Sequence, residues 1–170
     1  MPPGPRHTLS PAELATWEAF LRAHASIMRR LEQDLAAHDL TLSDYDVLVQ
    51  LVQAPDRRLR PVELSRAVLL TRSGITRLVA GLERHGLVER IPAPGDRRGQ
   101  LVTLTAAGLE RIRAAGRTHG RGIRELFADR LDAGELERLR ATLERLPADP
   151  AGSPAPATGG DLGGGAPGPG

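Results

Sequence analysis

The chain has 170 residues, including 21 acidic residues, 23 basic residues that are all arginine, and no cysteine. The lack of cysteine excludes disulfides, thiolate metal sites and cysteine redox sensing. No apolar run approaches the roughly 18 residues that cross a bilayer. The N-terminal segment MPPGPRHTLS also lacks the apolar core of a signal peptide. We therefore expect a cytoplasmic protein with no membrane partner.

Positive charge is concentrated in one part of the chain. Residues 57–98 contain 10 arginines and 4 acidic residues, a net charge of +6, whereas the remaining residues together carry −4. A local excess of arginine on an otherwise acidic chain favours a polyanionic partner such as nucleic acid.

The N-terminal segment predicts a flexible arm followed by one long helix. Residues 1–9 are proline-rich. Ser10, Pro11 and Glu13 then form a helix start, because serine caps, proline occupies the first turn and glutamate closes a capping box. The helix should run to about residue 37. An apolar stripe at helical spacing comprises Trp17, Phe20, Leu21, His24, Ile27, Met28, Leu31 and Leu35.

Three shorter helices follow. Thr41 caps the second, Pro61 begins the third, Thr71 caps the fourth, and Gly86 ends the fourth. The buried faces predicted for the second and third helices comprise Tyr45, Leu48, Val49, Val52, Val62 and Leu64. The third and fourth helices should pack across a tight turn as a helix-turn-helix. This prediction follows from the spacing of three apolar residues, Leu64, Leu70 and Ile75.

The segment after Gly86 predicts a β-hairpin. Leu87-Val88 and residues 101–104 are short apolar runs, and between them lies a tip rich in glycine and proline at residues 92–99. This tip carries Arg97 and Arg98 next to Asp96. A basic loop at the end of a β-ribbon can enter a nucleic-acid groove. A helix followed by such a hairpin is the arrangement of a winged helix-turn-helix.

The last third of the chain predicts two helices and a disordered tail. Thr105 caps a fifth helix that should reach about residue 131, and Asp132 with Glu135 forms a capping box for a sixth that ends near residue 146. Residues 147–170 contain 8 glycines and 6 prolines, a composition that cannot form a core.

The start of the fourth helix supplies the first set of candidate DNA-binding residues: Arg72, Ser73, Gly74, Thr76 and Arg77. Arginine makes bidentate contacts to guanine, and serine or threonine contacts bases or phosphates. The glycine would let the backbone approach the duplex closely. The alternative interpretation is a solvated helical face with two exposed arginines.

The hairpin tip supplies the second set, Asp96, Arg97 and Arg98. A carboxylate two residues before Arg98 can orient its guanidinium, which lowers the entropic cost of inserting that side chain into a groove. Arginine in a narrow minor groove is favoured electrostatically. The alternative is a tight turn with a surface salt bridge worth under ~1 kcal/mol.

These segments resemble the multiple antibiotic resistance regulator (MarR) family of winged-helix transcription factors. The resemblance extends over roughly residues 11–146 and is carried by LTLSDYDVL at 40–48, SGITRLV at 73–79, LERHGLVER at 82–90, DRRG at 96–99, LVTLT at 101–105 and Gly108. Ser65 and Leu69 depart from the helix-turn-helix pattern, which usually has a small alanine and a turn glycine at these places.

The resemblance implies a mainly α fold with a small β-hairpin, in one domain over residues 10–146. A winged helix-turn-helix at about 41–104 would join a helical dimerisation region at about 10–37 and 105–146. The expected partners are double-stranded DNA and a second copy of the chain. The family pattern also implies that Arg98 enters the minor groove and that Asp96 supports the wing.

The same resemblance implies a small aromatic or anionic effector. Its binding would change the spacing between the two winged helix-turn-helix regions of the dimer, which we call the winged heads. Candidate residues for its site are Trp17, His24 and Tyr45, and the alternative interpretation of these residues is core packing. No histidine pair has the spacing of a helical metal site, and no nucleophile elbow or phosphate-binding glycine loop is present. We therefore expect no metal, no cofactor and no enzymatic activity.

The sequence thus predicts a dimeric repressor that binds a palindromic operator. Two alternatives remain open. The winged head could bind an acidic protein, or the protein could be an architectural DNA binder without sequence preference.

Overall fold

The computed structural model describes residues 8–68 and 70–147, without the side chains of Arg72, Arg97 and Arg98. The predicted N-terminal arm lies largely outside the described residues, and so does the predicted tail beyond Pro147.

The described residues form six α-helices and one small antiparallel sheet, which confirms the predicted fold class. The helices are α1 (Pro11–Ala36), α2 (Leu42–Gln53), α3 (Pro61–Ala67), α4 (Arg72–Arg84), α5 (Ala106–Leu126) and α6 (Ala133–Leu143). The strands are β1 (Arg58–Leu59), β2 (Val88–Ala93) and β3 (Asp96–Leu104), in the spatial order β1-β3-β2. Short 3-10 turns cover Pro55–Arg57 and Ala128–Arg130.

The helix starts follow from side-chain caps, as the sequence predicts. The Ser10 backbone N–H donates to Glu13 Oε2 at 2.7 Å, and Ser10 Oγ accepts from the Glu13 N–H. Thr41 with Asp44 and Asp132 with Glu135 form equivalent capping boxes. Each cap satisfies backbone donors that a helix leaves unpaired in its first turn.

The hairpin is longer than predicted. Its turn lies at Pro94-Gly95, where Gly95 has φ +74°, and residues 92–93 and 96–99, predicted as part of the tip, belong to strands. A register shift between Pro92 and Ala93 accommodates the extra residues. The wing is therefore a structured ribbon almost to its end.

Three further features differ from the predicted elements. Strand β1 was not predicted, and it pairs Arg58 with Thr103 and Leu59 with Val102. Helix α5 ends at Leu126 and not near residue 131, because the chain turns into the 3-10 segment after Phe127. Helix α6 ends at Leu143, slightly before the predicted end.

The core lies in the winged head, between α2, α3, α4 and the sheet. The predicted Tyr45, Leu48, Val49 and Leu64 are buried, together with Val47 and Leu51 of α2 and Ile75, Val79, Leu82, Val88 and Val102 around them. Val62, which was expected to face inward, is 37% exposed. Helix α2 is thus buried on more than one face and forms the centre of the head.

Helix α1 behaves differently at its two ends. Leu31 and Leu35, near its C-terminus, are buried. Four large apolar side chains of its N-terminal half are exposed in the single chain: Leu14, Trp17, Phe20 and Leu21. Leu143, the last residue of α6, and Leu146, three residues after it, are also exposed.

Helix α5 connects the head to α1 through two close approaches at glycines. A Cβ at position 108 would overlap the Leu87 carbonyl oxygen and lie 2.8 Å from Leu104 Cδ1. A Cβ at position 122 would lie 2.9 Å from Leu31 Cδ2. Glycine destabilises a helix by about 1 kcal/mol relative to alanine. At these two positions it permits a close approach of neighbouring atoms that the Cβ of alanine would block.

No helix within the described residues is long and apolar enough to cross a membrane.

Candidate nucleic-acid interface

The first turn of α4 presents polar side chains outward from an apolar base. Ile75 and Val79 are buried beneath the helix, whereas Ser73, Thr76 and Arg77 are exposed. These three residues and Thr71 line a shallow open depression. Arg72 is the first helical residue. The structure therefore brings the described side chains of this candidate set together on one surface.

Gly74 has a local structural role at this surface. The Thr71 hydroxyl oxygen accepts a hydrogen bond from the Gly74 backbone N–H at 3.1 Å. A Cβ at position 74 would lie 3.2 Å from the same oxygen. The glycine thus keeps the helix cap compact. Hydroxyls, a guanidinium and a helix N-terminus together suit an anionic, hydrogen-bonding partner.

The wing tip is organised by the carboxylate of Asp96. Its Oδ1 accepts from the Gly99 backbone N–H at 3.0 Å, and its Oδ2 accepts from Arg60 Nη1 at 2.9 Å. The sequence analysis expected Asp96 to orient Arg98, and the side chain of Arg98 lies outside the described residues. In the sequence, Arg97 and Arg98 lie between Asp96 and Gly99, the two residues that the first of these hydrogen bonds joins.

Two arginines in this region were missed by the sequence analysis. Arg60, at the N-terminus of α3, reaches the wing. Arg90 of β2 donates to the Thr76 carbonyl at 3.5 Å and lies 3.6 Å from Glu83 Oε2, so it connects the wing to α4. The high density of arginine in residues 57–98 was a signal for both, but partners far away in the sequence could not be assigned from spacing.

The three candidate effector residues do not come together in the single chain. Trp17 stacks on Phe20 and Phe20 on His24 along the exposed side of α1, with ring centroids 5.8 Å and 6.1 Å apart. Tyr45 is fully buried in the head, with its ring centroid 4.6 Å from that of His119. Among the described residues, ring contacts join Tyr45 neither to Trp17 nor to His24. Core packing therefore accounts for Tyr45 but not for the exposed His24.

His119 and Tyr45 form a buried polar pair between α5 and α2. The Tyr45 hydroxyl and His119 Nδ1 have no hydrogen-bond partner within the described part of the chain. Burial raises the pKa of Tyr45 to about 12. Burial lowers the pKa of His119 below its ordinary value, and the negative charge of Asp34 only partly opposes this shift. Both side chains are therefore neutral at pH 7.

The His119 shift leads to a prediction about acid stability. Because its pKa is lower in the folded chain, the unfolded chain takes up the proton first as the pH falls below about 6.5. The free energy of unfolding should decrease from that pH downward until the folded-state pKa is passed. Urea denaturation between pH 7.5 and 5 at constant chain concentration measures the effect.

The control for this experiment separates His119 from the other titrating groups. His119→Gln should flatten the pH dependence, whereas the same change at the exposed His85, at the end of α4, should leave it as in the parent protein. A parent-like pH profile in His119→Gln would show that His119 does not cause the acid instability.

No group of three or more histidine, cysteine, aspartate or glutamate side chains that could hold a metal ion occurs among the described residues.

Comparison with known proteins agrees with this geometry. A model of the MarR family matches residues 38–99, which hold α2 to α4, β1, β2 and the start of β3. The multiple antibiotic resistance protein MarR of Escherichia coli K12 is 30% identical over 118 residues, covering 69% of this chain and 81% of that protein. The chain belongs to the MarR family.

A solved structure of a MarR family protein matches a larger share of this chain. Sco3205 from Streptomyces coelicolor, a MarR family transcriptional regulator solved in complex with DNA, superposes with a TM-score of 0.77 at 32% identity, covering 83% of this chain and 88% of that one. The regulator PrsX of Escherichia coli is 34% identical over 89 residues, and this match spans only 54% of PrsX.

Proposed function

We propose that this MarR family member is a sequence-specific DNA-binding transcriptional regulator that acts as a homodimer. The observation that carries the proposal is the outward polar surface of α4, with Ser73, Thr76 and Arg77 exposed above a buried apolar base. Next to it along the chain is a wing whose tip holds two consecutive arginines. A helix of this kind fits the major groove, and a basic wing fits the adjacent minor groove.

Within this proposal the residues have distinct roles. One of the two arginines Arg72 and Arg77 reads bases and the other anchors the DNA backbone, and Ser73, Gly74 and Thr76 form the close-approach surface of α4. Arg98 enters the minor groove, Arg97 contacts phosphate, and Asp96 supports the wing. The likeness to Sco3205, which was solved with DNA, supports the proposal.

The proposed domain organisation assigns residues 41–104 to the winged head and residues 10–37 and 105–146 to dimerisation. The exposed apolar side chains of α1 support this division, because an uncovered stripe of that size needs a partner. A two-fold dimer places its heads in inverted orientation, so the operator should be palindromic, with half-sites about 10 bp apart. We propose repression as the mode of regulation.

Selection of bound sequences from a random duplex library tests DNA binding, symmetry and sequence preference together. A palindromic consensus supports the proposal. Binding without enrichment indicates an architectural DNA binder, and failure to bind duplex indicates a protein partner for the winged head. Repeating the selection with Arg72→Ala and Arg77→Ala assigns their roles, because only loss of a base reader relaxes the preference at one position of each half-site.

Release by a small aromatic or anionic effector is a further part of the proposal. The stacked, exposed rings of Trp17, Phe20 and His24 supply an aromatic surface that an effector could contact. Tyr45 is instead buried in the core of the winged head. Competition of aromatic acids such as benzoate with the selected operator tests this part.

Arg98→Ala should weaken binding to the selected operator by about 1–3 kcal/mol, because it removes a groove contact. Arg97→Ala should instead lower the slope of log affinity against log salt by about one unit, as expected for a lost phosphate contact. Fluorescence anisotropy over a salt series measures both effects, and circular dichroism checks the fold. Equal affinity of Arg98→Ala and the parent protein would refute the wing assignment.

A further inference from the structure

The carboxylate of Asp96 joins the wing tip to the start of the helix-turn-helix. Asp96 Oδ2 accepts from Arg60 Nη1 at 2.9 Å, and Asp96 Oδ1 accepts from the Gly99 backbone N–H at 3.0 Å. One bond therefore bridges residues 96 and 99 at the start of β3, and the other connects this segment to a residue 36 positions earlier in the chain. We refer to Arg60, Asp96 and Gly99 as the wing clamp.

The Arg60 end of the wing clamp is fixed at its backbone. Arg60 is the N-cap of α3, and its N–H donates to Glu63 Oε2 at 2.6 Å. It directly follows β1, which pairs with β3, and it precedes Pro61, which restricts its backbone to the extended region. The base of the Arg60 side chain therefore moves with α3, and α3 packs against α4.

The wing end depends on a glycine. A Cβ at position 99 would overlap Asp96 Oδ2, lie 2.7 Å from its Cγ and lie 3.1 Å from the Ala93 Cβ. The carboxylate can occupy this place only because Gly99 has no side chain. The two arginines proposed to meet DNA, Arg97 and Arg98, lie between the two clamped residues in the sequence.

We infer that Arg60 is a positioning residue for DNA binding, which holds the wing tip at a set angle to α3 and α4 through Asp96. This inference rests on the proposed DNA-binding function. The Arg60 and Asp96 side chains are 43% and 42% exposed, so an ion pair here adds little to global stability. Its effect lies in preorganisation, because a wing fixed before binding loses less conformational entropy when it enters the groove.

A double-mutant cycle tests the inference. Arg60→Gln and Asp96→Asn each break the ion pair, and the asparagine amide retains an oxygen that can accept from the Gly99 N–H. Each variant should lower affinity for the selected operator roughly tenfold, and the double variant should lose no more than either single one. The salt slope of Arg60→Gln should equal that of the parent protein.

Arg66→Gln is the matched control. It removes one arginine charge from the exposed surface of the same helix without touching the wing clamp. A lowered salt slope in Arg60→Gln, with losses that add to those of Asp96→Asn, would mean that Arg60 contacts phosphate directly and would overturn the inference. Unchanged affinity in Arg60→Gln would also overturn it.

Hydrogen exchange in the free protein gives a second measurement that needs no DNA. Amides of residues 96–101 should exchange faster in Arg60→Gln than in the parent protein or in Arg66→Gln. Unchanged exchange would overturn the inference even if the parent protein binds DNA. If the parent protein binds no duplex while the wing amides respond as expected, the clamp stands and the proposed function fails.

Discussion

Gly108→Ala should destabilise the folded chain by roughly 3 kcal/mol, a large effect for the addition of one methyl group. The new Cβ would overlap the Leu87 carbonyl oxygen. That oxygen accepts from the Thr105 backbone N–H at 3.1 Å, and the Thr105 hydroxyl, which donates to the neighbouring Gly86 carbonyl at 2.7 Å, lies 3.1 Å from it. The carbonyl cannot move aside without breaking the bonds that fasten the first turn of α5 to the end of the α4–β2 connection. Urea denaturation at a fixed chain concentration measures the loss.

Gly120→Ala provides the matched control within the same helix. Within the part of the chain that the structure describes, no heavy atom outside the helix backbone and chain neighbours lies within 4 Å of a Cβ built at this position. Alanine should therefore stabilise the chain by about 0.5–1 kcal/mol through its higher helix propensity. Equal effects at positions 108 and 120 would contradict the proposed steric cause.

Phe20→Glu should convert the proposed homodimer into a monomer and lower operator affinity by about a hundredfold or more. Phe20 is 44% exposed and stacks between Trp17 and His24 on the uncovered side of α1. A carboxylate buried there on dimerisation would be strongly unfavourable. Loss of the dimer also removes the gain from two linked heads, which amounts to about 10²–10⁴ in affinity.

Sedimentation at micromolar concentration measures the assembly. The parent protein should have about twice the 18.2 kDa mass of the chain, and Phe20→Glu should have the mass of one chain. Ala19→Glu, one residue earlier and on the opposite side of the helix from the apolar stripe, should remain dimeric. A monomeric parent protein that binds one asymmetric site tightly would refute the dimer proposal.

The sequence predicted the helices well because their starts are determined locally. A capping box such as Ser10 with Glu13 lies within four residues, and the contacts that define it need no knowledge of the fold. Strand β1 gave no such signal. It has two residues, Arg58 and Leu59, follows two residues with positive φ, and exists because β3 lies beside it.

In the candidate site, too, features set by local periodicity were predictable from the sequence, and those set by tertiary contacts were not. Ser73, Thr76 and Arg77 are exposed together because helical periodicity already separates them from the buried Ile75 and Val79. The partner of Asp96 was not predictable, since Arg60 reaches it only after the wing folds back toward α3. Tyr45 was expected to lie near Trp17 and His24, and tertiary packing places it against His119 instead.

The strand order β1-β3-β2 bears on how the protein behaves when it is concentrated. An edge strand offers unpaired backbone groups to other chains and is a common starting point for aggregation. The outer strand β2 contains Pro92, which has no N–H to donate, and the charged Glu89 and Arg90. On the other side, β1 covers β3 at Val102 and Thr103. Intermolecular sheet growth is therefore opposed along β2 and where β1 covers β3, and the exposed apolar side chains of α1 remain as the surface assigned to the proposed homodimer.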